Sequence, residues 1–247
     1  MADLGALADD LAAIVAEGGP EAPRRICEAC MAALPVTRAA ITMMAGADRQ
    51  EPIWVSDEVA RQLDELQFAV GEGPCVEAFT VRRPVLVADL TDPTEQVDGR
   101  WPVFAAAARR TPVRALFVLP LQAGAITVGV LDLYRDTPGL LEPDELNGAL
   151  RAADAALWAL LGMRSGGKVD GAADGARRAD PHGWLMGSPL RRTEIYQATG
   201  MIIEQMQVTP EMALSALRAH AFAHDRPILE VARDVVARRL RFHEEMQ

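Results

Sequence analysis

One stretch of this chain cannot build a core. From Ser165 to Leu190 the sequence runs SGGKVDGAADGARRADPHGWLMGSPL, dense in Gly, Asp and Ala, with two prolines and no sustained apolar period. Such a segment buries too little apolar surface to offset the entropy of ordering it, and it reads as a linker. No internal repeat competes with it as a boundary. The expected organisation is therefore one domain over residues 1–164, a linker over 165–189 and a second domain over 190–247.

The same break divides the charge. The chain carries 25 Lys/Arg against 35 Asp/Glu, a net −10 that looks wrong for a nucleic-acid binder. Residues 1–189 hold 17 basic against 27 acidic side chains, whereas 190–247 hold 8 of each. Within the second part, Arg226, Arg233, Arg238, Arg239 and Arg241 face only Glu230 and Asp234 over 226–241, a local excess usable for phosphates. No apolar run is long enough to span a bilayer, so no membrane partner is expected. The N-terminus MADLGALADD is acidic where a secretory signal is basic, and three cysteines at irregular spacing do not make a disulfide framework. A cytoplasmic protein is expected.

Before the linker, helices and strands mix. Leu4, Leu7, Leu11, Ile14 and Val15 recur at helical spacing, and a second helix follows Pro23 with Ile26, Cys30 and Leu34 inward. Two β-rich runs, Val36–Met44 and Ile53–Val55, flank the turn-like AGADRQEP as a hairpin. Residues 57–70 read as a helix with Val59, Leu63 and Leu66 inward, ending at the glycines of GEGP. Strands follow at 84–88, 115–121 and 125–134, the last two joined by a tight turn, and a long Ala/Leu helix over 142–163 closes the region. Helices flanking a largely antiparallel sheet make an α+β domain.

After the linker only helices are indicated. Ile195, Ala198, Ile202 and Met206 share one face of the first. Thr209-Pro210 supplies an N-cap and an N1 proline to the second, which turns Ala213, Ala216, Leu217 and Ala221 inward. Pro227 opens a third with Ile228, Val231, Ala232, Val235, Val236 and Leu240 on its apolar face. The result is an all-α three-helix bundle with a small core.

The residues of IYQATGMIIEQMQVTPEMALSALRAHAFAHDRPILEVARDVVARRL resemble the ANTAR module, a three-helix RNA-binding domain of bacterial antiterminators, over nearly all of 190–241. The resemblance rests on Ala198 and Gly200 in helix one, Ala213, Leu217 and Arg218 in helix two, and Val231-Ala232 in helix three. Many members carry a lysine between that alanine and glycine, where this chain has Thr199. Upstream, GEGPCVEAF, PVLVADL and LPLQAGAITVGVLDLY occur in the order that resembles a GAF domain, a small-molecule and signal-sensing fold. The combination is similar to the GAF-ANTAR regulators common in actinobacteria. It implies a signal-responsive transcription antitermination regulator, not an enzyme, whose partners are paired RNA stem-loops, an unidentified small-molecule ligand at the GAF domain and a second copy of the chain. No cofactor is assigned.

The candidate RNA residues are Gln197, Thr199, Gly200, Arg218, His220, His224, Arg226 and Arg233. Gly200 costs roughly 1 kcal/mol inside a helix relative to alanine, which either close helix packing or approach of an RNA loop to bare backbone would explain. The arginines offer charge-assisted contacts, and the histidines offer donors or stacking surfaces for unpaired bases. Taken singly, Gln197, Thr199 and each arginine read as ordinary solvated side chains. His220 and His224 have the spacing of a metal pair without a third ligand. Cys75 and Glu77 border the expected GAF ligand region, whereas Cys27-x-x-Cys30 reads as two helix-face cysteines. Two rival functions stay open. One is a thiol-dependent methionine sulfoxide reductase with Cys75 as nucleophile and another cysteine resolving it; the other is a protein-interaction scaffold.

Overall fold

The computed structural model of the protein describes residues 4–165 and 192–243, which fall into two compact units. The stretch read as a linker lies outside the described residues except for Ser165, the last residue of a helix.

In the first unit, α1 (Leu4–Glu17) and α2 (Ala22–Ala33) bury their periodic residues, Leu7, Leu11 and Ile14 on one and Ile26, Cys27 and Cys30 on the other. They pack with the long α7 (Pro143–Ser165), whose Ala149, Ala152, Ala156 and Leu160 face inward. Gly148 permits the closest approach: a Cβ there would lie 3.2 Å from side-chain carbons of both Leu4 and Leu7. The apolar faces of α1 and α7 are thus consumed inside the unit.

This layer covers one face of a five-stranded antiparallel sheet of order β2-β1-β5-β4-β3, with β1 Arg38–Gly46, β2 Arg49–Val55, β3 Val85–Val87, β4 Ala115–Ala123 and β5 Ile126–Arg135. Strand β4 shows why its sequence is apolar without alternation. Ala115, Phe117, Leu119 and Leu121 join the α1/α2/α7 core, and Leu116 and Val118 join the core on the opposite face. That second face is covered by α3 (Glu58–Val70), α4 (Pro74–Val81), α5 (Val97–Arg100) and α6 (Pro102–Ala108). Helix α3 is capped as its sequence requires: Asp57 accepts from the Ala60 amide at 2.8 Å, and Gly71 ends it in the left-handed region.

Two local expectations are corrected. Of the polar stretch AGADRQEP, only Ala47 and Asp48 separate the strands; Gln50, Glu51 and Pro52 belong to β2, because antiparallel pairing sets Gln50 opposite Met44 and Glu51 opposite Met43. Helices α4, α5 and α6 were not expected at all. Each is eight residues or fewer, too short to display an apolar period.

The second unit consists of α8 (Thr193–Met206), α9 (Pro210–Ala223) and α10 (Ile228–Val236). Ile195, Ala198 and Ile202, then Ala213, Leu214, Leu217 and Ala221, then Ile228, Val231, Ala232 and Val235 make its core. The third helix stops at Val236, short of Leu240, and Arg238 adopts φ 59°. The chain beyond it returns to α8, where the Phe242 amide donates to Gln205 Oε1 at 2.9 Å.

Candidate nucleic-acid interface and interior polar site

Helix α8 presents Thr193, Gln197, Gly200 and Glu204 as one exposed stripe. The space around Gly200 bears on one of the two explanations of its cost. A Cβ built there meets nothing within 4 Å, so no packing contact within the described residues requires a glycine. Thr199, by contrast, is 8% exposed, and its hydroxyl donates to the Ile195 carbonyl at 2.8 Å. It belongs to the inner side of α8, apart from Gln197 and Gly200.

The remaining candidates gather at the end of α9 and along α10. His220 and His224 stack at 4.0 Å with 21° between ring planes, and Phe242 meets His220 edge-on at 5.4 Å. Stacked rings do not converge their nitrogens on an ion, and His224 Nδ1 lies 2.8 Å from the His220 carbonyl oxygen. Partial burial, then the charges of His224 and Arg226, lower the His220 pKa, so near neutral pH it offers a ring face rather than a cation. Arg226 pairs with Asp234 at 2.8 Å, which also holds Arg239 at 2.7 Å; Arg233 pairs with Glu194 of α8 at 3.2 Å. Exposed ion pairs of this kind are worth about 0–1 kcal/mol, so a phosphate can exchange for the carboxylate. Arg218 is half-buried on α9.

In the first unit Cys75 and Glu77 part company. Glu77 faces Arg100 at 2.6 Å on the outside of α4. Cys75 points into the core, where its thiol donates to Asp132 Oδ1 at 2.8 Å and Gln67 brackets it, donating to Sγ at 2.9 Å and accepting from the Cys75 amide at 2.8 Å. Nearby, the Thr42 hydroxyl donates to Asp64 at 2.9 Å, and the wholly buried Tyr134 hydroxyl lies within electrostatic reach of Asp132 without completing a hydrogen bond. Strands β1 and β5 supply Thr42, Asp132 and Tyr134, and helices α3 and α4 supply the rest. Burial pushes the Asp132 carboxyl up to about 7, with the Asp64 charge adding to the rise. Burial, then Asp132, pushes the Cys75 thiol well up.

Sequence reasoning reached Cys75 and missed Asp64, Gln67, Thr42 and Tyr134. Asp132 and Asp89 are not partners: Asp89 binds Arg114 at 2.6 Å, which holds its pKa below the usual carboxylate range. A usable signal was present in the polar residues Thr42 and Asp132 interrupting strands that are otherwise apolar. As a nucleophile Cys75 is poorly placed, since desolvation and an adjacent carboxylate both oppose the thiolate. Cys27 and Cys30 lie in the core on the other face of the sheet, where burial raises Cys27 well above its usual range and Cys30 to about 12.

Comparison with known proteins agrees with this division. The GAF domain model matches residues 21–160 and the ANTAR domain model matches 190–236. Among solved structures, the chain is similar to the GAF domain of a phosphoenolpyruvate-protein phosphotransferase from Coxiella burnetii (12% identity, 64% of this chain and 96% of that one, TM-score 0.49). It is also similar to the corresponding GAF domain from Acinetobacter (13%, 69% and 100%, 0.49) and to the free methionine-R-sulfoxide reductase of Neisseria meningitidis (14%, 66% and 88%, 0.45). The search of curated proteins gives no match. No helix among the described residues is long and apolar enough to cross a membrane. The chain belongs to the GAF family and carries a C-terminal ANTAR domain, the architecture of a GAF-ANTAR regulator.

Proposed function

We propose that this protein is a signal-responsive transcription antitermination regulator whose ANTAR unit binds paired RNA hairpins under control of the GAF unit. The observation that carries the RNA reading is Gly200, a helix-interior glycine on an exposed stripe with open space where its Cβ would be. Bare backbone of that kind, beside the amide of Gln197, admits an RNA loop whose unpaired bases can be read by hydrogen bonds. Arg218, Arg226 and Arg233 supply phosphate contacts, and His220 with His224 supplies a ring surface. Thr199 acts from within, holding the helix rather than touching RNA. Residues 1–164 sense, 165–189 connect, and 190–247 bind.

On the sensing side, the group around Cys75 and Asp132 is the place where a ligand or a proton would be felt, because buried polar groups change the packing around them when their partners change. Glu77 takes no part in that interior group. A regulatory rather than enzymatic role fits the chemistry of Cys75, whose proton is held by Asp132. Two bundles per complex, brought by a homodimer, match the valency of paired hairpins. Crosslinking in the native host followed by sequencing of bound RNA tests the proposal. Enrichment of paired stem-loops near terminators or start sites is expected, and recovery of no specific RNA would refute it.

A further inference from the structure

Helix α9 carries an exposed stripe that neither the core nor the candidate RNA residues account for. Met212, Ser215, Ala219 and Phe222 fall at i, i+3, i+7 and i+10 and are all exposed, with Phe222 at 73% and Met212 at 57%. Arg218 lies one turn before Phe222, at the i, i+4 spacing that makes two helical side chains neighbours. Ala219, at i−3, is small, and Phe222 itself is largely exposed, so its ring is open to a flat partner.

Charge marks the same helix. The protein has 35 Asp and Glu, yet none falls between Met212 and Ala223. A helix whose one carboxylate, Glu211, stands in its first turn, and which sets an arginine one turn from an exposed aromatic ring, is suited to a polyanion that also carries flat apolar rings. It is poorly suited to protein docking. Two large apolar side chains separated by serine and alanine fall well short of the ~800 Å² per partner that a stable protein interface buries.

Building on the RNA-binding reading above, we infer that Phe222 is a stacking platform for an unpaired base of the RNA loop, with the adjacent Arg218 guanidinium on the flanking phosphate. Stacking is tolerant of base identity, because every base has a π-face, and it depends little on salt. Phe222 therefore adds affinity and loop selection to a face whose arginines add charge. It distinguishes an unpaired loop from a duplex stem, where every base is already stacked.

The test uses the full-length protein and an RNA pool with two fixed stems and randomised loops, enriched on the parent protein, with 2-aminopurine then placed in the selected loop. Phe222→Ala is expected to weaken binding about 5- to 150-fold, the equivalent of ~1–3 kcal/mol per stacked base. The slope of affinity against salt should be unchanged. Phe222→Trp should bind like the parent and quench 2-aminopurine. Phe222→Leu should lose both affinity and quenching. Leucine is the better helix former and the side chain is exposed, so that loss cannot come from melting α9. Parental binding by the Ala and Leu variants would overturn the inference, as would rescue by Leu, which would mean apolar docking, or a change of oligomeric mass in place of affinity, which would mean a second copy covers the stripe. If Arg218→Ala weakens binding while the Phe222 variants do not, this inference alone fails. If the parent enriches no RNA, the RNA-binding reading fails and takes this one with it.

Discussion

Gly200 sits in the middle of α8 with no neighbour among the described residues that needs it small, and Asp132 sits at the centre of the other unit with burial, and then the Asp64 charge, opposing its ionisation. Both residues act against local stability, and each makes a separate prediction. Replacing Gly200 with leucine should raise the helical stability of α8 by about 0.5–1 kcal/mol. Hydrogen exchange of the α8 amides in the full chain should slow, while affinity for hairpin RNA should fall with little change in salt dependence. Faster exchange would return the glycine to a packing role. Asp132 is held up to about 7 when folded, against 3.8 when unperturbed. Below pH ~4 both folded and unfolded chains keep its proton. Between there and about 7 the unfolded chain releases the proton and the folded one retains it. Stability from this group is therefore complete at the acid end and is lost as pH rises through the window. Asp132→Asn cannot titrate, so the parent should lose stability relative to the variant as pH rises, by at most about 1.4 kcal/mol per unit. Denaturant unfolding of both proteins across that range reads the difference, and a pH-independent difference would contradict it.

Among the elements, the β1–β5 contact is the least forgiving. A Cβ added at Gly129 would lie 2.3 Å from the Thr42 carbonyl oxygen and 3.0 Å from the Met43 Cα, both backbone atoms that cannot turn aside. Gly129→Ala should cost roughly 1–3 kcal/mol in thermal or denaturant unfolding. A neutral substitution would mean that β1 and β5 are held less closely than described. Elements of this kind differ in how far the sequence revealed them. Helices α1, α2, α3 and α7, and all three helices of the second unit, repeat their apolar residues over enough turns to be read directly. The β4–β5 hairpin was equally legible, with Gly124 at φ 58° in its turn. Helices α4 to α6 were not, because a short Ala-rich helix such as α6 lacks a long apolar period. Strand β2 was shortened by its polar residues, which pairing with β1 brings inside. The interior polar group shows the same limit at the level of a site: Cys75 and Asp132 are 57 positions apart, and only the pairing of strands and the seating of α4 bring them together. Of the RNA candidates, Thr199 shows the same limit: the sequence could not say which side of α8 it would take.

For the molecule as a whole, the matching faces of α1 and α7 are consumed by packing on each other, which leaves the outer edge of α7 for association. Leu150 and Trp158 stand exposed there, Trp158 at 58%. If the proposed homodimer forms through α7, Trp158→Glu should shift the mass from dimer to monomer in light scattering. A parent protein that stays monomeric with RNA present would contradict it. Charge partition bears on the central claim: a chain of net −10 binds a polyanion only if its second unit presents its few arginines to phosphates while the acidic first unit keeps clear. Salt titration of the full-length protein against a two-hairpin RNA, with duplex DNA as competitor, tests that claim most directly. Affinity should fall linearly in log–log form as salt rises, the slope should shrink by about one unit in Arg218→Ala, and duplex DNA should not compete. Salt-independent binding, or equal competition by duplex DNA, would contradict recognition of RNA hairpins by this protein.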